Sequence, residues 1–98
     1  MLELYQAEWC PYSHRVRQKL TELGLDFIAR QVPPDPAERV AMRQAVGSDL
    51  MPVLVLDDGT VLDQDADEIV AFLDRTYPPT PYTAEHHERR FEALEFEA

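Results

Sequence analysis

A single cysteine, Cys10, stands beside a single tryptophan, Trp9, in the stretch Ala7-Glu8-Trp9-Cys10-Pro11-Tyr12-Ser13-His14. A short apolar run, Leu2 to Tyr5, leads into it, and the pattern from Val16 to Leu20 leads out with helical spacing. The thiol therefore sits just before a helix N-terminus. Unpaired backbone N–H groups and the positive end of the helix dipole stabilise a thiolate there, which is the nucleophilic form of cysteine. Ser13, three residues on, is placed to hydrogen-bond that thiolate. The plain alternative is that Cys10 is a small buried residue. Trp9 fits the core, a cleft wall or an exposed partner contact equally well.

One cysteine excludes an internal disulfide, a two-cysteine redox cycle within the chain and a cysteine-rich zinc site. His14, His86 and His87 form no metal spacing and read as surface residues, so no metal is expected. With 98 residues, 45% of them hydrophobic, the chain reads as one small domain with a single core. Its 19 acidic and 9 basic residues give a net charge of −10. Within residues 1–30 the acids Glu3, Glu8, Glu22 and Asp26 balance the bases Arg15, Arg17, Lys19 and Arg30. All of the surplus acid lies beyond. Such a surface repels phosphates, which argues against nucleic-acid and anionic-membrane partners. The three bases after Cys10 read more readily as a solvated helix face than as a ligand clamp. No apolar run approaches the ~20 residues of a membrane span, and no signal-peptide pattern precedes the first strand, so a cytoplasmic location is expected.

The elements that must position Cys10 follow from periodicity. Leu2-Glu3-Leu4-Tyr5 alternates as a first strand. Pro11 suits the first helical turn, and Val16, Leu20 and Leu23 form the apolar stripe of a helix closed by Gly24. Leu25 to Val32 reads as a second strand. After Pro33-Pro34-Asp35-Pro36, Asp35 is an N-cap and Pro36 a first helical residue. Val40, Met42 and Val46 supply that second helix with an apolar face, and Gly47 ends it. Val53-Leu54-Val55-Leu56 is continuously apolar, as a strand buried on both faces would be. Asp57-Asp58-Gly59 signals a hairpin into Thr60-Val61-Leu62. Asp65-Ala66-Asp67-Glu68 is a capping box opening a third helix through Ile69, Val70, Phe72 and Leu73, which Tyr77-Pro78-Pro79 stops. Residues 83–98 predict one more helix with Phe91, Leu94, Ala84 and His87 on one side, docking with Phe96 on the domain or on a second subunit. The order β-α-β-α-β-β-α, with parallel first strands and a final hairpin, predicts an α/β thioredoxin-like three-layer sandwich around a four-stranded mixed sheet.

Cys10-Pro11-Tyr12-Ser13 at the first strand-to-helix turn, Met51-Pro52 before the buried strand, and Gln64-Asp65 opening the last helix together carry a family likeness. With these spacings the chain resembles a glutaredoxin, or the N-terminal thioredoxin-like domain of a glutathione S-transferase, over residues 1–77. Residues 78–98 are then a Pro-rich break and a C-terminal helix. The resemblance implies that Cys10 attacks a mixed disulfide or holds glutathione, with Ser13 beside it. It implies a cis-proline turn at Met51-Pro52, whose backbone meets the cysteinyl part of the tripeptide. Gln64 and Asp65 would grip its γ-glutamyl end, while Tyr12, Arg15 and Gln18 would line the cleft near the glycyl end.

Asp65 and Glu68 are equally well explained as a helix cap. Three departures from the family pattern shape the expectation. Ser13 stands where a resolving cysteine would, leaving only a one-thiol cycle with an external thiol. Gln64-Asp65 replaces the glutaredoxin Gly-Gly, which moves the likeness towards the transferase domain, and Asp65 suits a ligand's amino group while repelling its carboxylate. Residues 78–98 are too short for the helical second domain of a transferase, so conjugation is not expected from this chain alone. The function the resemblance implies is a thiol-disulfide oxidoreductase dependent on glutathione or a similar low-molecular-weight thiol, acting through Cys10. Its partners would be that thiol and glutathionylated or disulfide substrates, and the tail offers a homodimer contact. A non-catalytic thiol-binding or protein-interaction module is the alternative. Iron–sulfur carriage by a dimer is a third reading, disfavoured by Pro11-Tyr12 where one-thiol glutaredoxins carry Gly-Phe.

Overall fold

The computed structural model describes residues 1–92. Strand β1 (Leu2–Gln6) lies at the centre of a four-stranded sheet of order β2-β1-β3-β4, in which β2 is Phe27–Gln31, β3 is Val53–Val55 and β4 is Val61–Leu62. β1 pairs parallel with β2, as a helical crossover between them requires, and antiparallel with β3, which pairs antiparallel with β4. Helices α1 (Pro11–Glu22) and α3 (Ala66–Thr76) cover one face, and α2 (Val40–Val46) packs on the other. The result is the α/β thioredoxin-like three-layer sandwich expected from the element order.

Strand periodicity divides the core between the two faces. Leu2, Leu4 and Leu54 join Val16, Leu20, Ile69 and Leu73 in the larger cluster, while Val53 joins Val32, Met42, Tyr5 and Met51 in the smaller. β3 is thus buried on both sides although only three residues long. Leu56 leaves the strand because its N–H turns to Thr60 O and its carbonyl accepts the Gly59 N–H, which closes the hairpin. β2 is shorter than Leu25–Val32, and four of its five residues are exposed, as befits an edge strand.

α1 starts with Pro11 at its first position and ends in a two-bond C-terminal motif. Leu25 N–H donates to Leu20 O and Gly24 N–H to Thr21 O, with Gly24 at φ +66°. α3 is capped by Asp65 Oδ1, which accepts the Glu68 N–H at 2.9 Å. Two ion pairs, Arg15–Asp67 and Lys19–Asp74, tie α1 to α3.

Two expected elements differ. The helix predicted to run from Pro36 is broken: Pro36–Glu38 forms a single 3-10 turn capped by Asp35, and α2 begins after Arg39. The cause is Arg39, a buried residue whose guanidinium donates to Pro33 O, Pro34 O and Asp49 O at 2.8–3.0 Å. Val40 consequently faces solvent, and Met42 and Val46, four residues apart, carry the contact. Among the described residues the tail forms a short helix α4 (Thr83–Glu88), and it docks through polar groups. Thr83 Oγ1 donates to Glu22 O at 2.6 Å, Gln18 Nε2 donates to His86 O at 3.1 Å, and His87 Nδ1 lies 3.0 Å from Glu22 Oε2. Ala84 is exposed, and Phe91 is half-exposed at the mouth of a cavity beside α1. Leu94 and Phe96 lie outside the described residues. No helix among the described residues is long and apolar enough to cross a membrane.

Candidate functional site

Cys10 is the N-cap of α1, held there because the β1–α1 loop folds back on itself. Cys10 N–H donates to Ala7 O, and Cys10 O accepts the His14 N–H. The sulfur accepts the Ser13 N–H at 3.4 Å, so the thiol side chain does the work an N-cap oxygen would do. The Ser13 hydroxyl beside it is fully buried, 0% exposed, and finds no hydrogen-bond partner of its own. A buried unpaired hydroxyl is costly, and it becomes a good donor once a charged acceptor forms within its reach. Burial alone would raise the Cys10 pKa. A hydrogen bond that the Ser13 hydroxyl can turn onto the sulfur, the N–H groups of Ser13 and Tyr12, and the charge of Arg17 outweigh it, leaving the thiol below its ordinary value. The sulfur itself is recessed, with Cys10 only 5% exposed, while Trp9 and Tyr12 stand out at 64% and 58%.

Arg17, expected on a solvated helix face, instead packs against the loop that carries Cys10. It is not a solvated cation. Its guanidinium reaches back to Gln6 Oε1 at 2.5 Å, Ala7 O at 3.3 Å, and both the backbone and the carboxylate of Glu8. It therefore fixes the loop that presents Cys10 and adds a positive charge near the sulfur. Lys19 is likewise internal, bridging Glu22 and Asp74. An Arg on the face of α1 that turns towards the preceding loop was the available sequence signal, but a charge pattern alone does not separate that face from the solvent side.

The second part of the site is a cleft of about 460 Å³ beside the helix start. One wall is Tyr12; the floor and far wall are Leu50, Met51 and Pro52, followed by Asp63, Gln64, Asp65 and Ala66. The Met51–Pro52 peptide bond is cis. The fold thus brings together five residues distant in sequence: Tyr12, Met51, Pro52, Gln64 and Asp65. Cys10 and Ser13 are not among the walls; in the chain they stand on either side of Tyr12. Arg15 and Gln18 do not line this cleft. They face a separate cavity with Glu22, Asp67, His87 and Phe91, because Arg15 pairs with Asp67 and Gln18 with Glu22 and His86 O. Arg39, also unremarked in the sequence, anchors the carbonyl of Asp49 just before the cis turn.

The chain is thus an α/β domain of thioredoxin-like fold, with a thiol capping its first helix and a cis-proline before its third strand. Residues 9–76 match the family profile described as glutathione S-transferase, N-terminal domain. The chain belongs to that family. Among solved structures, it is similar to a glutathione S-transferase from Methylobacillus flagellatus KT with glutathione bound, at 33% identity and TM-score 0.62 over 96% of this chain and 48% of that one. A glutathione transferase family member from Pseudomonas fluorescens Pf-5, also with bound glutathione, shares 30% identity, with TM-score 0.64 over 83% and 40% of the two chains. A diazinon-metabolizing glutathione S-transferase of the silkworm Bombyx mori shares 27% identity at TM-score 0.68, again over 83% and 40%. The chain thus spans less than half the length of these relatives. No curated protein sequence matches it significantly.

Proposed function

We propose that the chain is a thiol-disulfide oxidoreductase that uses glutathione or a similar low-molecular-weight thiol and works through Cys10 alone, with residues 1–77 as the thiol-handling unit. The observation that carries this reading is the donor set around the sulfur. The Ser13 N–H already points at it, and the buried, unpaired Ser13 hydroxyl stands ready to turn onto it. Both groups favour the thiolate over the neutral thiol. The glutathione held by two of the solved relatives supports the choice of co-substrate.

In the proposed cycle the Cys10 thiolate attacks the glutathionyl sulfur of a protein–glutathione disulfide. A Cys10–glutathione disulfide forms as the protein–sulfur bond breaks, and the departing protein thiolate takes a proton from water. A second glutathione thiolate then attacks the glutathionyl sulfur on Cys10. Glutathione disulfide leaves and the Cys10 thiolate returns, so each turnover consumes one free glutathione and converts one protein–glutathione disulfide into a protein thiol and glutathione disulfide. Ser13 stabilises the thiolate in both its attacking and its leaving role. The main chain at Met51-Pro52 aligns the cysteinyl part of the ligand, Gln64 and Asp65 meet its amino end, and Tyr12 closes one side. The test is reduction of a glutathione mixed disulfide by the wild type and by Cys10→Ala. We expect the variant to fall to the uncatalysed rate; equal rates would refute the cycle.

The recessed sulfur favours a second reading, in which the cleft holds a thiol peptide without turnover. It predicts saturable binding by the wild type together with mixed-disulfide reduction no faster than the uncatalysed rate.

A further inference from the structure

A second cavity, of about 460 Å³, lies on the α2 side of the sheet and shares no lining residue with the cleft beside Tyr12. Tyr5, Val32 and Met42, which belong to the smaller core cluster, give it an apolar floor. Ala41 and Ala45, four residues apart on one face of α2, line it from the helix. Their methyl groups are too small to fill the space over Tyr5 and Val32. Arg39 lines the same cavity and is as buried as Val32, at 6% and 7% exposed. Its Nε, Nη1 and Nη2 each donate once, to Pro33 O, Asp49 O and Pro34 O. These carbonyls bring no charge, and among the described residues no carboxylate pairs with Arg39. Asp49, whose carbonyl it holds, gives its carboxylate to Arg43 instead. A buried cation without a counter-charge is a costly arrangement. One N–H on each terminal nitrogen of Arg39 also remains unspent. Two other charged groups line the cavity: Arg30, which is paired with Glu3, and Glu38, which is exposed.

We propose that the cavity between β2 and α2 binds a small carboxylic acid with an apolar body, its carboxylate on Arg39 and its body over Tyr5, Val32 and Met42. The two oxygens of a carboxylate match the two unspent N–H groups, and the pair supplies the missing negative charge away from bulk water. Glu38 works against any anion there, so the preference for a carboxylate is set by the buried guanidinium and tempered by the rim. The site is separate from the Cys10 cleft and stands independently of the thiol chemistry.

Benzoate and benzamide make a matched pair of probes, alike in shape and differing in charge. Each is titrated into the isotope-labelled full chain, and binding is read from backbone amide chemical shifts. Benzoate should saturate shifts centred on Val32 and Met42, with an affinity about tenfold above that of benzamide. Removing Arg39 would also free three loop carbonyls, so the charge is tested through the probes and through Glu38. Glu38→Gln should tighten benzoate about twofold and leave benzamide unchanged, as expected for one exposed charge. Ala45→Leu, on the surface of α2, fills the cavity and should abolish the shifts from both probes. Cys10→Ala should bind benzoate as the wild type does, which separates this site from the proposed redox cycle. Equal affinity for the two probes would reduce the cavity to an apolar groove and overturn the proposal. So would benzoate binding that survives Ala45→Leu, shifts centred on Tyr12 and Gln64, or no saturable shift at all.

Discussion

The Ser13 hydroxyl is the least comfortable polar group among the described residues, buried and unpaired one turn from a thiol whose pKa it helps to lower. Ser13→Ala removes that dipole and a buried donor at once. The midpoint of the pH dependence of Cys10 alkylation should therefore rise towards the ordinary thiol range, so less thiolate is present at neutral pH. Because an unpaired buried hydroxyl costs free energy in the resting protein, the same variant should unfold no more easily than the wild type, with any change in stability within about 1 kcal/mol. A midpoint unchanged in Ser13→Ala would remove Ser13 from the proposed chemistry. Cys10 at a helix start was legible because the apolar spacing on either side fixes where the helix begins. Arg17 was not. Its partners are Gln6, Ala7 and Glu8, and only the closing of the loop shows that they surround one guanidinium.

At the level of elements, helix ends were more legible than helix faces. Gly24 was expected to close α1, and it does so with positive φ while bonding Thr21 O. An alanine there must adopt the left-handed conformation and bring its Cβ within 3.4 Å of the Thr80 methyl. Gly24→Ala should lower stability by about 1–2 kcal/mol, read as a shift in denaturant midpoint with unchanged slope. The first turn of α2 and the docking of α4 were misjudged for one shared reason. Both depend on polar groups meeting main-chain carbonyls across the fold: Arg39 gathers Pro33, Pro34 and Asp49, and Thr83 reaches the carbonyl of Glu22. Hydrophobic periodicity carries no record of such contacts. The cleft residues Met51, Pro52, Gln64 and Asp65 were legible as a set only through their family likeness, since nothing in their separate spacings brings them together.

For the whole molecule, the telling group is Glu22, 3% exposed yet ionised between α1 and α4. Burial works against its charge, but hydrogen bonds from Lys19, His87 and Gln18, together with the Lys19 charge, hold its pKa below the ordinary carboxylate value. In the unfolded chain the same carboxyl binds a proton at higher pH than it does in the fold. Its contribution to stability is therefore fully present above the ordinary carboxylate range and is lost as pH falls through the depressed folded value. Thermal unfolding should show a falling midpoint on acidification through that window. Glu22→Gln should flatten this dependence and be less stable near neutrality; an unaltered acid limb would show that Glu22 does not couple α4 to the domain.

Arg39 has a mechanical consequence as well as a structural one. A single guanidinium joins the Pro33-Pro34 loop to the backbone at Asp49, two residues before Met51, so the two segments move as one body. Displacing the cleft floor would therefore load hydrogen bonds to a loop that lies outside the cleft lining. Arg39 thus ties the segment before the cis turn to the rest of the fold while standing outside the cleft lining itself.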